Sequence, residues 1–388
     1  MSEAGVEREV GRIRGATAGP CMVVMTGIHG NEGSGVLAAR RVLAAIEEHS
    51  IPLAGELIVL AGNLKALRAK TRFVDRDLNR HWTPERVARV RAMSGTASAE
   101  DEEQLALLQI FADVVERADG AVHFVDLHTS SAEGAPFATV GDTLRNREFA
   151  RGLPLPIMLG LEEQVDGSLL EYLNNFGLVT LGVEAGQHDA PSSVDRHEAM
   201  VWLTLCRAGM LVESDVPELE AKRSLLREAC RDTPPVLEVR YRHVIGPEDG
   251  FEMDPGFENF MPIKRGQRLA RDLDGPVFAP MNGRILLPLY QGQGDDGFFV
   301  AKEFNAFWLG LSATMRKLGV GRLMPLLPGV RRHPEDGEML VVNTRIARFF
   351  PMQVFHLLGF RKLRAAGDLL IVSRRRYDRN APEQIQFS

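Results

Sequence analysis

The feature that most restricts how this chain can fold is a junction. An uninterrupted apolar run, Cys21–Met25, leads through T-G-I-H-G-N-E-G-S-G into Gly33–His49, where Val36, Leu37, Val42, Leu43 and Ile46 recur at helical spacing. A buried strand that feeds a helix through a glycine-rich turn is the opening half of a βαβ unit. It calls for a mostly parallel sheet with helices packed on its faces. Further apolar runs predict strands at Glu56–Ala61, Val122–Leu127, Phe137–Val140, Pro156–Leu159 and Leu178–Val183, with the first strand taken as Cys21–Gly27. Helical spacing predicts Glu102–Arg117, Ser168–Phe176 and Val194–Met210 besides Gly33–His49. The intervening stretch 83–101 reads as an exposed excursion or an extra helix. These elements define an α/β domain over residues 1–212.

Beyond it the pattern changes. Residues 213–235 form a charged linker, with a candidate helix, that ends in Pro234-Pro235, and 236–303 hold short apolar runs divided by Gly, Pro and Asp. That is the pattern of a small barrel-sandwich-like β-domain, expected to cover whatever site the first domain carries. Residues 301–388 carry 15 Lys and Arg against 7 Asp and Glu, which leaves the rest of the chain strongly acidic for an overall charge of −6, and 304–388 is set apart as a C-terminal segment with this basic balance. No RNA-binding aromatic motif or zinc finger accompanies the basic residues, so this segment reads as a solvated face or a dock onto the acidic body, with no nucleic acid expected. No apolar run approaches the roughly 18–20 residues of a bilayer span, and no membrane partner or signal peptide is expected. Cys21, Cys206 and Cys230 are too dispersed for a disulfide framework or thiolate cage, which makes a cytoplasmic location the expectation. A homo-oligomer is compatible with this reading.

The chemistry gathers at strand ends, where open α/β sheets build ligand sites. His29 and Glu32 lie in the opening turn. In V-D-L-H-T-S, strand alternation sends Asp126 and His128 to one face. G-V-E-A-G places Glu184 at the tip of another strand, and T-R-F-V-D-R-D-L-N-R puts Arg72, Asn79 and Arg80 in a loop. Together His29, Glu32 and His128 supply a His₂Glu set with an open position, the composition of a catalytic zinc site. Asp126 then orients His128, or is simply a buried strand-end carboxylate. Glu184 is placed to carry a proton, or caps a helix; Arg72 to face an oxyanion; Asn79 and Arg80 to hold a carboxylate. Arg80 could instead pair with Asp75 or Asp77. His188 is close enough behind Glu184 to be watched as a pocket residue.

H-G-N-E (His29–Glu32), D-L-N-R (Asp77–Arg80), D-L-H (Asp126–His128) and V-E-A-G (Val183–Gly186), in that order, resemble the succinylglutamate desuccinylase/aspartoacylase family, a branch of the zinc carboxypeptidase fold. I-K-R-G-Q-R-L-A and L-P-L-Y-Q-G-Q-G-D-D-G-F-F resemble the C-terminal module of its bacterial members, whereas 304–388 carry no such likeness. The resemblance implies one Zn²⁺ per chain on His29, Glu32 and His128, with Glu184 as general base and then acid. It implies that Arg72 polarises the scissile carbonyl, that Asn79 and Arg80 contact the substrate carboxylate, and that Tyr290 reaches the site from the C-terminal module. The implied activity is amide hydrolysis of a small N-acyl amino acid, with a metallocarboxypeptidase for short peptides or a catalytically silent binding relative as alternatives. One departure stands out: aspartoacylase uses a further arginine shortly before the catalytic glutamate, and Glu162–Val183 contains none. The resemblance therefore does not imply a dicarboxylate acyl group.

Overall fold

The junction at Cys21 folds as its pattern predicts. The structure is a computed structural model that describes residues 5–93, 95, 98–334, 336, 338–343, 345–346, 355, 358–366, 368–375, 377–382, 385 and 387. In chain order, β1 (Glu9–Arg14), β2 (Thr17–Thr26), α1 (Ser34–Glu48), β3 (Ala54–Ala61) and α2 (Leu64–Ala69) lead to α3 (Pro84–Ala92) and α4 (Ala99–Arg117). Then follow β4 (Val122–Ser130), β5 (Phe137–Thr139), β6 (Ile157–Leu159), β7 (Val179–Gln187) and β8 (Val236–Val244).

The main sheet has eleven strands and begins β1-β3-β2-β4-β7-β5-β6-β8. The β3-β2-β4-β7 centre is parallel, as are β5-β6 and β6-β8. Parallel strands covered on both faces need apolar side chains on both. Along β2, Met22 and Val24 enter the layer that holds Val42 and Trp202, whereas Cys21, Val23 and Met25 enter the opposite layer with Phe111 and Phe124. All nine residues of β4 are buried.

Several features resolve or depart from the expectations above. The charged segment Glu9–Arg14 forms an edge strand antiparallel to β3. The 83–101 stretch follows the extra-helix alternative, with α3 and the start of α4. β7 runs on to Gln187, so Glu184 lies within the strand beside His128 rather than at its tip. The candidate helix of the linker forms at Leu219–Ala229, and the region after it is not wholly separate from the main sheet. Instead β8 pairs with β6, and Asp296–Glu303, Gly283–Leu286 and Pro262–Ile263 extend the same sheet. An otherwise open edge at β6 is thereby satisfied. A three-stranded sheet, Glu252–Met253, Arg268–Asp272 and Gly275–Phe278, completes this region.

Residues 304–388 contribute the helix Ala306–Lys317 and a four-stranded antiparallel sheet. Their buried Arg316 reaches Asp142 at 2.7 Å and Asp378 at 3.2 Å. That contact docks the basic segment on an acidic residue of the body. Among the described residues, no helix is long and apolar enough to cross a membrane.

One consequence of the close packing concerns acid stability. His123 lies in β4 with its ring 4.8 Å from that of Phe149, and burial, aided by nearby Arg145, pushes its pKa down to about 4. The unfolded chain binds this proton near pH 6.5. Below that value the unfolded state gains protons that the folded state refuses, so stability drains away as pH falls from 6.5 to 4. The contribution is about 3 kcal/mol over that window. Denaturant unfolding at both pH values should show the wild type losing more stability than His123→Phe; equal losses would refute the assignment.

Candidate active site

The turn after β2 is held by close backbone approach. A Cβ on Gly30 would stand 2.0 Å from the Ala66 carbonyl carbon, so only glycine lets this turn lie on α2. Gly30 N–H donates to Arg72 O, and Glu32 N–H donates to His29 O at 3.2 Å. These bonds aim His29 and Glu32 across the end of the sheet at His128, which β4 supplies.

Glu32 is the hub of the cluster. Its Oε1 lies 2.7 Å from His29 Nδ1 and its Oε2 lies 3.2 Å from His128 Nδ1, while Oε2 also accepts Thr129 N–H at 3.0 Å. One ligand atom from each of His29, Glu32 and His128 lies within 4.8 Å of the other two, and all three residues are buried. The outer ring nitrogens are held as well: His29 Nε2 bonds Asp77 Oδ1 at 3.1 Å and His128 Nε2 bonds Asp126 Oδ2 at 2.8 Å. Carboxylates behind both rings fix Nδ1 toward the shared centre, the arrangement by which metal-ligating histidines are oriented. Two imidazoles and one carboxylate are the donor types that zinc takes in a catalytic site, so the cluster fits that ion. Burial raises the Glu32 pKa, but the adjacent His29 and His128 outweigh it and hold the carboxyl well below its usual range. At His128 burial disfavours the charge, yet the Asp126 and Glu32 carboxylates push its pKa well above the usual histidine value.

Asp77 is the residue that sequence reasoning missed, having weighed it only as an alternative partner for Arg80. It anchors His29, receives Arg72 Nε and Nη2 at 3.0 Å, and caps its own turn by accepting Asn79 N–H at 2.8 Å. An aspartate two residues before Asn79, poised for such a turn, was the available signal. The loop that carries it is pinned by buried Glu100, which accepts the backbone N–H groups of Val74, Asp75 and Arg76. Asp77→Asn should weaken the hold of this cluster on a divalent metal ion about 10–100-fold, the usual cost of losing a carboxylate behind a ligand. Chelator competition measures this, and wild-type affinity in the variant would contradict the role.

Glu184 pairs with His128 across β4 and β7 and lines the same cavity, of about 140 Å³. Its Oε2 has no hydrogen-bond partner, and burial, together with Glu32, raises its pKa to about 7 against the pull of His128, His29 and Arg72. Arg72 stands 3.7 Å from Glu32 through Nη1. Asn79 and Arg80 also line the cavity. Asn79 Oδ1 accepts Leu169 N–H at 2.8 Å. Arg80 pairs with Asp296 at 2.7 Å, and so with neither Asp75 nor Asp77. Asp296 also receives Arg242.

Leu287, Leu289 and Gln291 line the cavity in alternation, so Tyr290 points the other way. Its hydroxyl donates to Asp254 O and accepts Phe257 N–H, both at 2.9 Å. Gln291, missed in the sequence, bonds Asn31 Nδ2 at 2.7 Å and His188 Nε2 at 3.0 Å, and His188 Nδ1 contacts Thr129 Oγ1 at 2.8 Å. Gln293 Oε1 accepts Arg72 N–H at 3.0 Å. The two glutamines tie the 236–303 region to the turn that bears His29 and to the loop that bears Arg72.

Comparison with known proteins places these residues in a family context. The model described as the succinylglutamate desuccinylase/aspartoacylase catalytic domain matches residues 18–204. A succinylglutamate desuccinylase from Pseudomonas aeruginosa (strain LESB58) is 30% identical over 296 residues, or 72% of this chain and 83% of that one. A succinylglutamate desuccinylase from Burkholderia pseudomallei (strain 1710b) is 30% identical over 109 residues, so this chain spans only 30% of that relative's length in a match covering 28% of its own. The crystal structure of a succinylglutamate desuccinylase/aspartoacylase from Rhodobacter sphaeroides matches with a TM-score of 0.56 at 19% identity, covering 76% of this chain and 88% of that one. At that identity the structural likeness concerns the fold.

Proposed function

The chain belongs to the succinylglutamate desuccinylase/aspartoacylase family, and from that premise we propose that it is a zinc-dependent deacylase acting on the amide bond of a small N-acyl amino acid. The observation that carries this reading is the convergence of His29, Glu32 and His128 beside an unpartnered Glu184 oxygen in one cavity. His29, Glu32 and His128 would hold the ion. When bound, zinc supplies Lewis acidity, which acidifies water toward a pKa of about 7 and polarises a carbonyl oxygen.

The chain's own residues do the rest. Glu184 takes a proton from the attacking water and delivers it to the departing nitrogen, a transfer that contributes roughly 10²–10⁴-fold. Arg72, kept charged and oriented by Asp77, donates hydrogen bonds to the oxygen that gains negative charge. Arg80 and Asn79 offer donors to the carboxylate of the substrate's amino acid half. Asp126 and Asp77 position the two imidazoles.

The cavity size favours small molecules over peptides. About 140 Å³ is below the roughly 300–1,000 Å³ of pockets for drug-sized ligands. Incubating the zinc-loaded chain with a panel of N-acyl amino acids and short peptides, followed by mass spectrometry, tests the reading. Release of free amino acid from N-acyl compounds is expected; preferential removal of C-terminal residues from peptides would replace it with a carboxypeptidase.

A further inference from the structure

The charges lining the cavity bear on which acyl group it accepts. Five acidic residues line it, Glu32, Glu162, Glu184, Asp295 and Asp296, against Arg72 and Arg80, and Asp296 is further neutralised by Arg242. Both guanidiniums are already engaged, Arg72 by Asp77 at 3.0 Å and Arg80 by Asp296 at 2.7 Å. Among the described residues no lysine lines the cavity. A divalent cation on His29, Glu32 and His128 thus leaves the lining with no surplus positive charge. The remaining donors of Arg80 and Asn79 suffice for one carboxylate; a second finds no cation.

The surface beside Glu184 is neutral. His128, Glu184 and Phe137 are paired across β4, β7 and β5, and two residues back on the same face Asp126, Gly182 and Thr139 are paired. A Cβ on Gly182 would meet Thr139 Oγ1 at 2.2 Å and Leu170 Cδ1 at 3.0 Å. Thr139 and Leu170 therefore close over Gly182 and form the wall next to Glu184, continued in the same cavity by Leu161, Val165 and Phe299. A carboxylate pressed there gives up its water and gains no cationic partner from these neutral lining residues.

Resting on the deacylase reading above, we propose that this cavity selects a small uncharged acyl group of about acetyl size and excludes acyl chains that end in a carboxylate. In the reaction the hydroxyl of water adds to the acyl carbon, the C–N bond breaks, and the water's proton passes to the nitrogen. The products are a short monocarboxylic acid and a free amine.

N-acetylglutamate and N-succinylglutamate share one amine and differ at the acyl end, so their kcat/KM values on the zinc-loaded wild type test the proposal. The acetyl compound should be favoured by at least about 100-fold, the scale set by leaving a charge unpaired in a closed site. Equal or better use of the succinyl compound overturns it. Should neither be hydrolysed and the panel of N-acyl amino acids also release no free amino acid, the deacylase reading fails, and competition between acetate and succinate for the zinc-loaded protein, followed by calorimetry, still decides the selectivity. Acetate binding at least as tightly sustains the proposal, and tighter succinate overturns it. Leu161→Arg, which adds the missing cation to the wall, should shift the kcat/KM ratio toward succinyl by about tenfold or more.

Discussion

Glu184→Gln retains one zinc per chain and loses about 10²–10⁴-fold in kcat, with a much smaller change in KM. The substitution keeps the shape of the side chain and removes only its capacity to hold a proton. Structure is conserved because Glu184 Oε2 makes no hydrogen bond that the amide would break, and the strand pairing of β7 with β4 involves backbone alone. Zinc binding is expected to persist because the three proposed ligands are other residues. The loss in kcat without a matching change in KM separates proton transfer from substrate binding. A variant within about threefold of wild type would remove Glu184 from the chemistry, since general base catalysis contributes far more than that. It would then favour a relative that binds without catalysing.

Glu32→Ala abolishes stoichiometric zinc and takes the activity to background while the chain remains folded. Glu32 holds the cluster together: it contacts both imidazoles, accepts Thr129 N–H and faces Arg72. Alanine removes one of three ligands and frees both rings from their common partner. Arg72 keeps Asp77 at 3.0 Å when Glu32 is removed, so no buried charge is left without a partner and the fold survives. Metal analysis after dialysis and circular dichroism on the same sample distinguish site loss from unfolding. A folded Glu32→Ala protein that still carries one zinc per chain would show that the ion sits elsewhere.

What the sequence made legible was local. The strand, glycine turn and helix at Cys21–His49 have distinct periodicities, so His29 and Glu32 could be placed on the turn between them. Asp126 and His128 shared a face because alternation requires it, and the bond between them follows. What stayed hidden depended on contacts between distant segments. Asp77 reaches His29 across 48 residues, and Asp296 reaches Arg80 across 216. Neither pairing leaves a periodic trace. Tyr290 and Gln291 differ by one position, and the direction of an extended segment decides which of them meets the cavity; the aromatic residue drew attention while the glutamine lines the wall. The continuation of the main sheet through β8 was hidden for a related reason. Short apolar runs broken by Gly and Pro look alike whether they close on themselves or extend an existing edge. Edge strand β1 was obscured by its charges, which face solvent and pair locally, as Arg12 does with Glu9 and Glu56.

The most direct test of the account is anomalous diffraction at the zinc edge from crystals of the zinc-loaded protein. It should give one strong peak per chain, about 2.0–2.2 Å from Nδ1 of His29, Nδ1 of His128 and a carboxylate oxygen of Glu32, with Glu184 facing the remaining position. A peak bound by other residues, or no peak among these three in a fully loaded crystal, would contradict it.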